Sequence, residues 1–331
     1  AAWINRAALW EDVVAKYPSS LMAHNGLGMV AFEAGRVEEA RAWYERALRL
    51  SPGFTEGHKN LGVTFAAVGE WDQAIAAFER ALAIDPGYVE ARVNLGKVYE
   101  RQGRWELALE AYDRILRDDP GNASVLARAA WLLGAAGRLP EAADRYARLR
   151  ASGRADADAL AAYGAVLVRL ERWDEGERVL SELLARVPDS YPAQFNLAAA
   201  LEGRGAWDRA ADEYRRAAAL NVADPDPLFR IGVLLSKQER WQQAAAAYDE
   251  ALRRDSRHTP AHLNAGMVAE RTGDVPQALR HYDSVIAMTG GRPGDDGLRE
   301  RAGEAAARLR RLAGGIEPPV AVRAGSPDGT K

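Results

Sequence analysis

Apolar positions along this chain recur at helical spacing in short runs, and glycine cuts the runs at intervals. Leu61 and Phe65 lie on one run, Ala74, Phe78 and Ala81 on the next, with Gly69 between them. That spacing predicts amphipathic helices of about 13 residues, roughly 20 Å each, and Gly69 predicts the turn joining two of them.

The tryptophans reveal a longer period. Trp71, Trp105, Trp173, Trp207 and Trp241 are separated by 34, 68, 34 and 34 residues, and Trp3 precedes Trp71 by 68. Eight units then align without a gap: 21–54, 55–88, 89–122, 123–156, 157–190, 191–224, 225–258 and 259–292. Position 20 of the unit is Ala in all but one, the exception being Gly176. Position 24 is aromatic except at Leu180, as in Tyr44, Phe78, Tyr112, Tyr146, Tyr214, Tyr248 and Tyr282. Position 8 is Gly or Ala, and position 15 is Gly at 35, 69, 103, 137, 205 and 273. Proline closes four units, at Pro52, Pro86, Pro120 and Pro188, whereas the fourth unit has Arg154 there and the sixth to eighth lack it.

Small residues at positions 8 and 20 let two helices approach closely. The aromatic at 24 is expected to fill the space between one pair and the next, and the tryptophans to pack where repeats meet. Proline cannot continue the second helix and so ends it. One unit has too little core to stand alone and must bury its open face on its neighbours.

Residues 1–20 read as the second half of a truncated unit, with Trp3 in phase, Trp10 at the aromatic position and Pro18 at the closing one. The chain opens Ala1-Ala2-Trp3 without an initiator Met, so a first helix is expected upstream. Beyond 292 the period stops. Residues 293–313 predict a capping helix with Leu298, Ala302, Ala305, Leu309 and Leu312 on one face, and 314–331 a disordered tail.

Composition narrows the chemistry. A net charge of −3 offers no basic surplus for nucleic acid or an anionic membrane, and no apolar run is long enough to insert directly into a bilayer. Cysteine is absent, which excludes disulfides and thiolate sites without fixing the compartment. Phosphate loops, a Gly-x-Ser-x-Gly elbow and HExxH are missing, and the carboxylates fall on outer helix faces beside arginines, so no catalytic residue is expected. His258 and His262 are four apart, yet Pro260 puts a helix start between them and no third ligand joins. Neither a metal nor a cofactor is expected.

The run Asn60-Leu61-Gly62, Phe65, Ala74, Phe78, Ala81, Pro86 resembles the tetratricopeptide repeat family, and the resemblance extends over residues 21–292. It implies an all-α fold, a right-handed α-solenoid of tandem 34-residue helix-turn-helix repeats, acting as a non-catalytic scaffold or adaptor. In that family the first helices line a concave groove, to which positions 2, 5, 6, 9, 12 and 13 point. Carried over to this chain, the groove displays Met22, Asn25, Met29, Phe32, Lys59, Asn60, Asn94, Lys97, Arg101, Arg128 and Trp131. Farther along it displays Phe195, Asn196, Phe229, Lys237, Asn264 and Met267.

Asn60, Asn94, Asn196 and Asn264 share position 6, and a row of amides that both donate and accept suits the backbone of an extended peptide. A clamp for a terminal carboxylate, as in some relatives, would be incomplete: Lys59, Asn94 and Arg128 match, but Val63 and Ser124 occupy the other two places. The expected partner is a protein or peptide segment; a structural spacer or self-assembly scaffold is the alternative. Trp3-Ile4-Asn5-Arg6 through Val14, with Tyr17-Pro18 and Ala23-His24-Asn25-Gly26-Leu27-Gly28, also resembles the junction after the last membrane helix of certain multi-pass glycosyltransferase-like proteins. That resemblance implies a membrane-embedded parent chain and an extracytoplasmic arm. Oligomeric state is left open.

Overall fold

A computed structural model describes residues 2–289 and 296–314, without the side chains of 2–5 and 313–314. Residues 290–295 and 315–331, the latter within the expected tail, lie outside the described residues. Among the described residues there are 18 helices and no strand. They run α1 (Ala2–Lys16), α2 (Leu21–Glu33), α3 (Val37–Leu50), α4 (Thr55–Ala67), α5 (Trp71–Ile84), α6 (Val89–Arg101), α7 (Trp105–Asp118), α8 (Ala123–Ala135) and α9 (Leu139–Ala151). Then come α10 (Ala157–Arg169), α11 (Trp173–Arg186), α12 (Tyr191–Gly203), α13 (Trp207–Leu220), α14 (Asp226–Lys237), α15 (Trp241–Arg254), α16 (Thr259–Arg271), α17 (Val275–Met288) and α18 (Asp296–Gly314). The architecture is an all-α helical-repeat solenoid. It divides into two compact units, Ala1–Val166 and Leu167–Lys331.

Each pair is made by one turn, repeated eight times. The residue after position 15 donates its backbone N–H to the carbonyl five residues back: Arg36 to Ala31, Glu70 to Phe65, Arg104 to Tyr99 and onward to Asp274 to Ala269, at 2.8–2.9 Å. This closure needs a left-handed residue at position 15. Six glycines supply it, from Gly35 (φ 73°) to Gly273 (φ 83°). The other two positions are Glu171 (φ 57°) and Glu239 (φ 58°), the non-glycine residues with positive φ among those described. Packing of the helices dictates the turn there, against the residue's own preference.

The second helices carry a buried stripe, as in α7, where Ala108, Leu109, Ala111, Tyr112, Ile115 and Leu116 face inward and Glu110 and Arg114 face out. Within a unit such a helix packs on its own first helix and on the first helix of the next pair, as α3 does on α2 and α4, α7 on α6 and α8, and α13 on α12 and α14. Tryptophans at the start of the second helices pack where repeats meet: a Cβ built on Gly203 would lie 2.5 Å from Trp173, and the Arg271 guanidinium sits 5.4 Å over Trp241. Helix α18 closes the second unit by packing Ala302, Ala306 and Leu309 on Tyr282 and Val285. Ala306 takes the inward place that the sequence pattern gave to Leu312, which is 76% exposed.

Candidate functional site: the face of the first helices

The first helices are seated by an aromatic ring. A Cβ built on Gly62, Gly96 or Gly232 would fall 2.6, 2.6 or 2.4 Å from the ring of Phe78, Tyr112 or Tyr248, respectively. The position-24 aromatic therefore lies inside its own helix pair, over the bare backbone at position 8. It also reaches the next pair, Tyr146 stacking on Tyr163 at 5.9 Å and the Tyr112 hydroxyl accepting from Arg128 at 3.2 Å. The seat has a chemical consequence, since the hydroxyls of Tyr112, Tyr214, Tyr248 and Tyr282 each meet position 12 of the same unit.

Where position 12 is Glu, a three-member network forms. Tyr112 donates to Glu100 at 2.6 Å, and Arg128, from the next first helix, donates through Nη2 at 2.6 Å and Nε at 2.9 Å. The Glu100 side chain is only 7% exposed. Tyr214 and Glu202 (3.0 Å) repeat the arrangement, with Lys237 at 3.2 Å and Arg230 at 3.9 Å as cations. Tyr282 and Glu270 (3.0 Å) repeat it again, and there α18 supplies the cation, Arg308, at 2.6 Å. Burial, then the hydrogen bond to the carboxylate, pushes the Tyr112 and Tyr282 phenols well above their usual range. The hydrogen bond to Glu100 raises Arg128. These glutamates were absent from the site residues expected from sequence. Their signal was present, for 100, 202 and 270 are whole multiples of 34 apart, but a charged residue facing a groove gives no hint that it is buried.

Two pockets open where position 12 is Ala66 or Ser236, and others lie beside Glu270 and Arg128. One of about 430 Å³ lies among Ala66, Trp71, Phe78, Asn94, Lys97 and Arg101, and one of about 300 Å³ among Ser236, Trp241, Tyr248, Asn264, Met267 and Arg271. A larger depression of about 540 Å³ is lined by Val93, Lys97, Arg128, Trp131, Arg154 and Asp156. Burial raises the Tyr248 phenol, and its hydroxyl shares hydrogen bonds with Ser236 (3.2 Å) and Asn264.

The structure places the expected groove residues unequally. Met22, Trp131 and Met267 are 64%, 53% and 45% exposed, and Lys97, Arg101, Arg128 and Lys237 are also exposed. Asn94, Asn196 and Asn264 are half-buried, as are Lys59, Met29 and Phe32. Asn25 and Asn60 are buried and spent on each other, Asn60 donating to Asn25 Oδ1 at 2.8 Å. Phe195 meets Tyr214 edge-on at 5.3 Å, and Phe229 lies 5.0 Å from His258. His258 caps α16 by accepting from the Ala261 N–H, and His262 faces His281 with Nδ1 atoms 3.0 Å apart. Among the described residues no group of three or more acidic or histidine side chains is placed to hold a metal, no helix is long and apolar enough to cross a membrane, and no buried side-chain nitrogen or oxygen lacks a partner.

Family profiles described as Tetratricopeptide repeat match residues 6–53, 60–123, 164–226 and 229–295, and a second profile of that description matches 101–166. A curated relative, the chloroplastic PsbB mRNA maturation factor Mbb1 of Chlamydomonas reinhardtii, is 30% identical over 90 residues; these make up 27% of this chain and 14% of that protein. The chain thus matches about a seventh of that relative's length. Among solved structures, a tetratricopeptide repeat protein from Parabacteroides merdae aligns over 78% of this chain and 98% of its own, at 16% identity and a TM-score of 0.49. Yeast Tom70 aligns over 88% of this chain and 61% of its own, at 14% identity and a TM-score of 0.48.

Proposed function

The chain belongs to the tetratricopeptide repeat family, and from that premise we propose that its first helices hold an extended segment of a partner protein. Members of the family are protein-interaction scaffolds, generally without catalytic activity, and this chain is such a scaffold for protein or peptide partners. The finer reading, that the partner lies along the first helices, rests on one observation. The open pockets, the exposed Trp131, Met22 and Met267, and the cations Lys97 and Arg101 occur together on that face. Exposed large apolar groups beside charge mark contact surfaces, and an extended chain offers both main-chain groups and side chains to such a face.

The test uses random peptides of about 12 residues displayed on phage and selected on the immobilised full chain. Enriched peptides, synthesised with a benzophenone side chain, should cross-link to the first helices, at residues such as Trp131 and Met267. Cross-links confined to the second helices would overturn this reading, and so would the failure of any peptide to enrich.

A further inference from the structure

The two smaller pockets are the same pocket. Trp71 and Trp241, Phe78 and Tyr248, Asn94 and Asn264, Lys97 and Met267, and Arg101 and Arg271 are each 170 residues apart, five repeats of 34. Each is walled by the tryptophan that opens a second helix and floored by the ring seated on the glycine at position 8. An asparagine from the following first helix stands at the side. The place is empty because position 12 is Ala66 in one case and Ser236 in the other. At Glu100, Glu202 and Glu270 position 12 instead carries a glutamate tied to a tyrosine and a cation, and the depressions beside Glu270 and Arg128 lack the tryptophan wall of a second-helix start.

The rims agree in sign as well. Neither pocket is lined by a carboxylate; one carries Lys97 and Arg101, the other Lys237 and Arg271. Arg271 lies over the indole of Trp241, which leaves its charge at the pocket mouth. An indole wall and an aromatic floor favour a long apolar side chain. The asparagine amide suits the main chain on either side of it, and the rim cations suit a neighbouring carboxylate.

Resting on the reading of the first-helix face given above, we infer that these are two equivalent sockets. Each takes one aromatic or long aliphatic side chain from an extended partner segment with an Asp or Glu beside it. One chain therefore holds two copies of a short segment of that kind.

The peptides selected above provide the probe. They should share an apolar residue within two positions of a carboxylate, and calorimetry should give two bound per chain. Ala66→Glu with Asn94→Arg, and Ser236→Glu with Asn264→Arg, install the pair that the molecule already carries at Glu100 and Arg128, and so should fold. Each double variant should reduce the stoichiometry from two to one, and together they should weaken binding at least about tenfold, the scale of one buried apolar side chain. Lys97→Glu and Arg271→Glu, both on exposed side chains, should weaken binding without filling either socket.

Peptides that cross-link to the first helices but keep their stoichiometry and affinity in both filled variants would overturn the sockets and leave the broader reading standing. Selected peptides without the apolar–acidic pairing would do the same. Absence of any enriched peptide would remove both.

Discussion

The step from α5 to α6 and the step from α7 to α8 are built on the same frame and filled differently. Both seat an aromatic ring over a bare glycine, Phe78 on Gly62 and Tyr112 on Gly96, and both first helices end on the same left-handed turn. At the second step Glu100 and Arg128 occupy the space beneath the ring's edge; at the first, Ala66 and Asn94 leave it open. Apolar seating and turn geometry make the frame, and positions 12 and 6 decide whether the ring's edge meets a glutamate–arginine pair or a socket, the depression at the second step being lined instead by Val93, Lys97, Arg128 and Trp131.

The largest expected effect tests what the steps share. Gly62→Val and Gly96→Val each drive a side chain into the seated ring and should cost about 3 kcal/mol apiece in denaturant unfolding. A large disparity between them would mean that the frames are not alike. Next is what differs. Arg128→Ala strips the cation from a carboxylate that is 7% exposed and should cost about 2 kcal/mol, whereas Asn94→Ala should cost less than about 0.5 kcal/mol. Equal losses would erase the distinction between a closed and an open step.

Smaller again is the turn. Glu171→Gly and Glu239→Gly relieve a left-handed conformation and should each raise stability by about 0.5–1 kcal/mol, seen as a higher midpoint at unchanged slope.

The smallest effect concerns a neutral polar pair, to be set against the charged networks. His262 donates from Nε2 to the Ser256 carbonyl, so its Nδ1 accepts from His281. Burial, then the nearby His262, holds His281 below the ordinary histidine value of 6.5. The unfolded chain therefore binds the proton more readily than the folded one. Stability contributed here is present above about pH 6.5 and declines as the pH falls through 6.5 toward the lower folded value. Thermal midpoints should drop on acidification through that window, and His281→Gln should flatten the slope.

Much of the frame was legible because period and helix chemistry reinforce each other. The first helices begin at 21, 55, 89, 123, 157, 191 and 259, whole multiples of 34 apart, and α14 begins at Asp226 with Pro225 at its N-cap. Tryptophan packing between repeats followed from phase. Three features of the site did not. A glutamate at position 12 reads as a solvated charge until a tyrosine hydroxyl is known to reach it, and that reach depends on a ring orientation that no spacing encodes. Asn60 looked like a rung for a partner's backbone, but Asn25, one residue out of phase in the preceding unit, takes its amide. Arg308 lies outside the repeat altogether, so its service to Glu270 had no register from which it could be read.

The two glutamates held with positive φ carry a lesson for how such chains diverge. A reversal imposed by the clasp of neighbouring helices survives loss of the residue that performs it most cheaply, so glycine there can drift while the path of the backbone stays put. Recognition by glycine alone would miss two of the eight bends inside the described helix pairs, although their carbonyls and amides meet as they do in the other six.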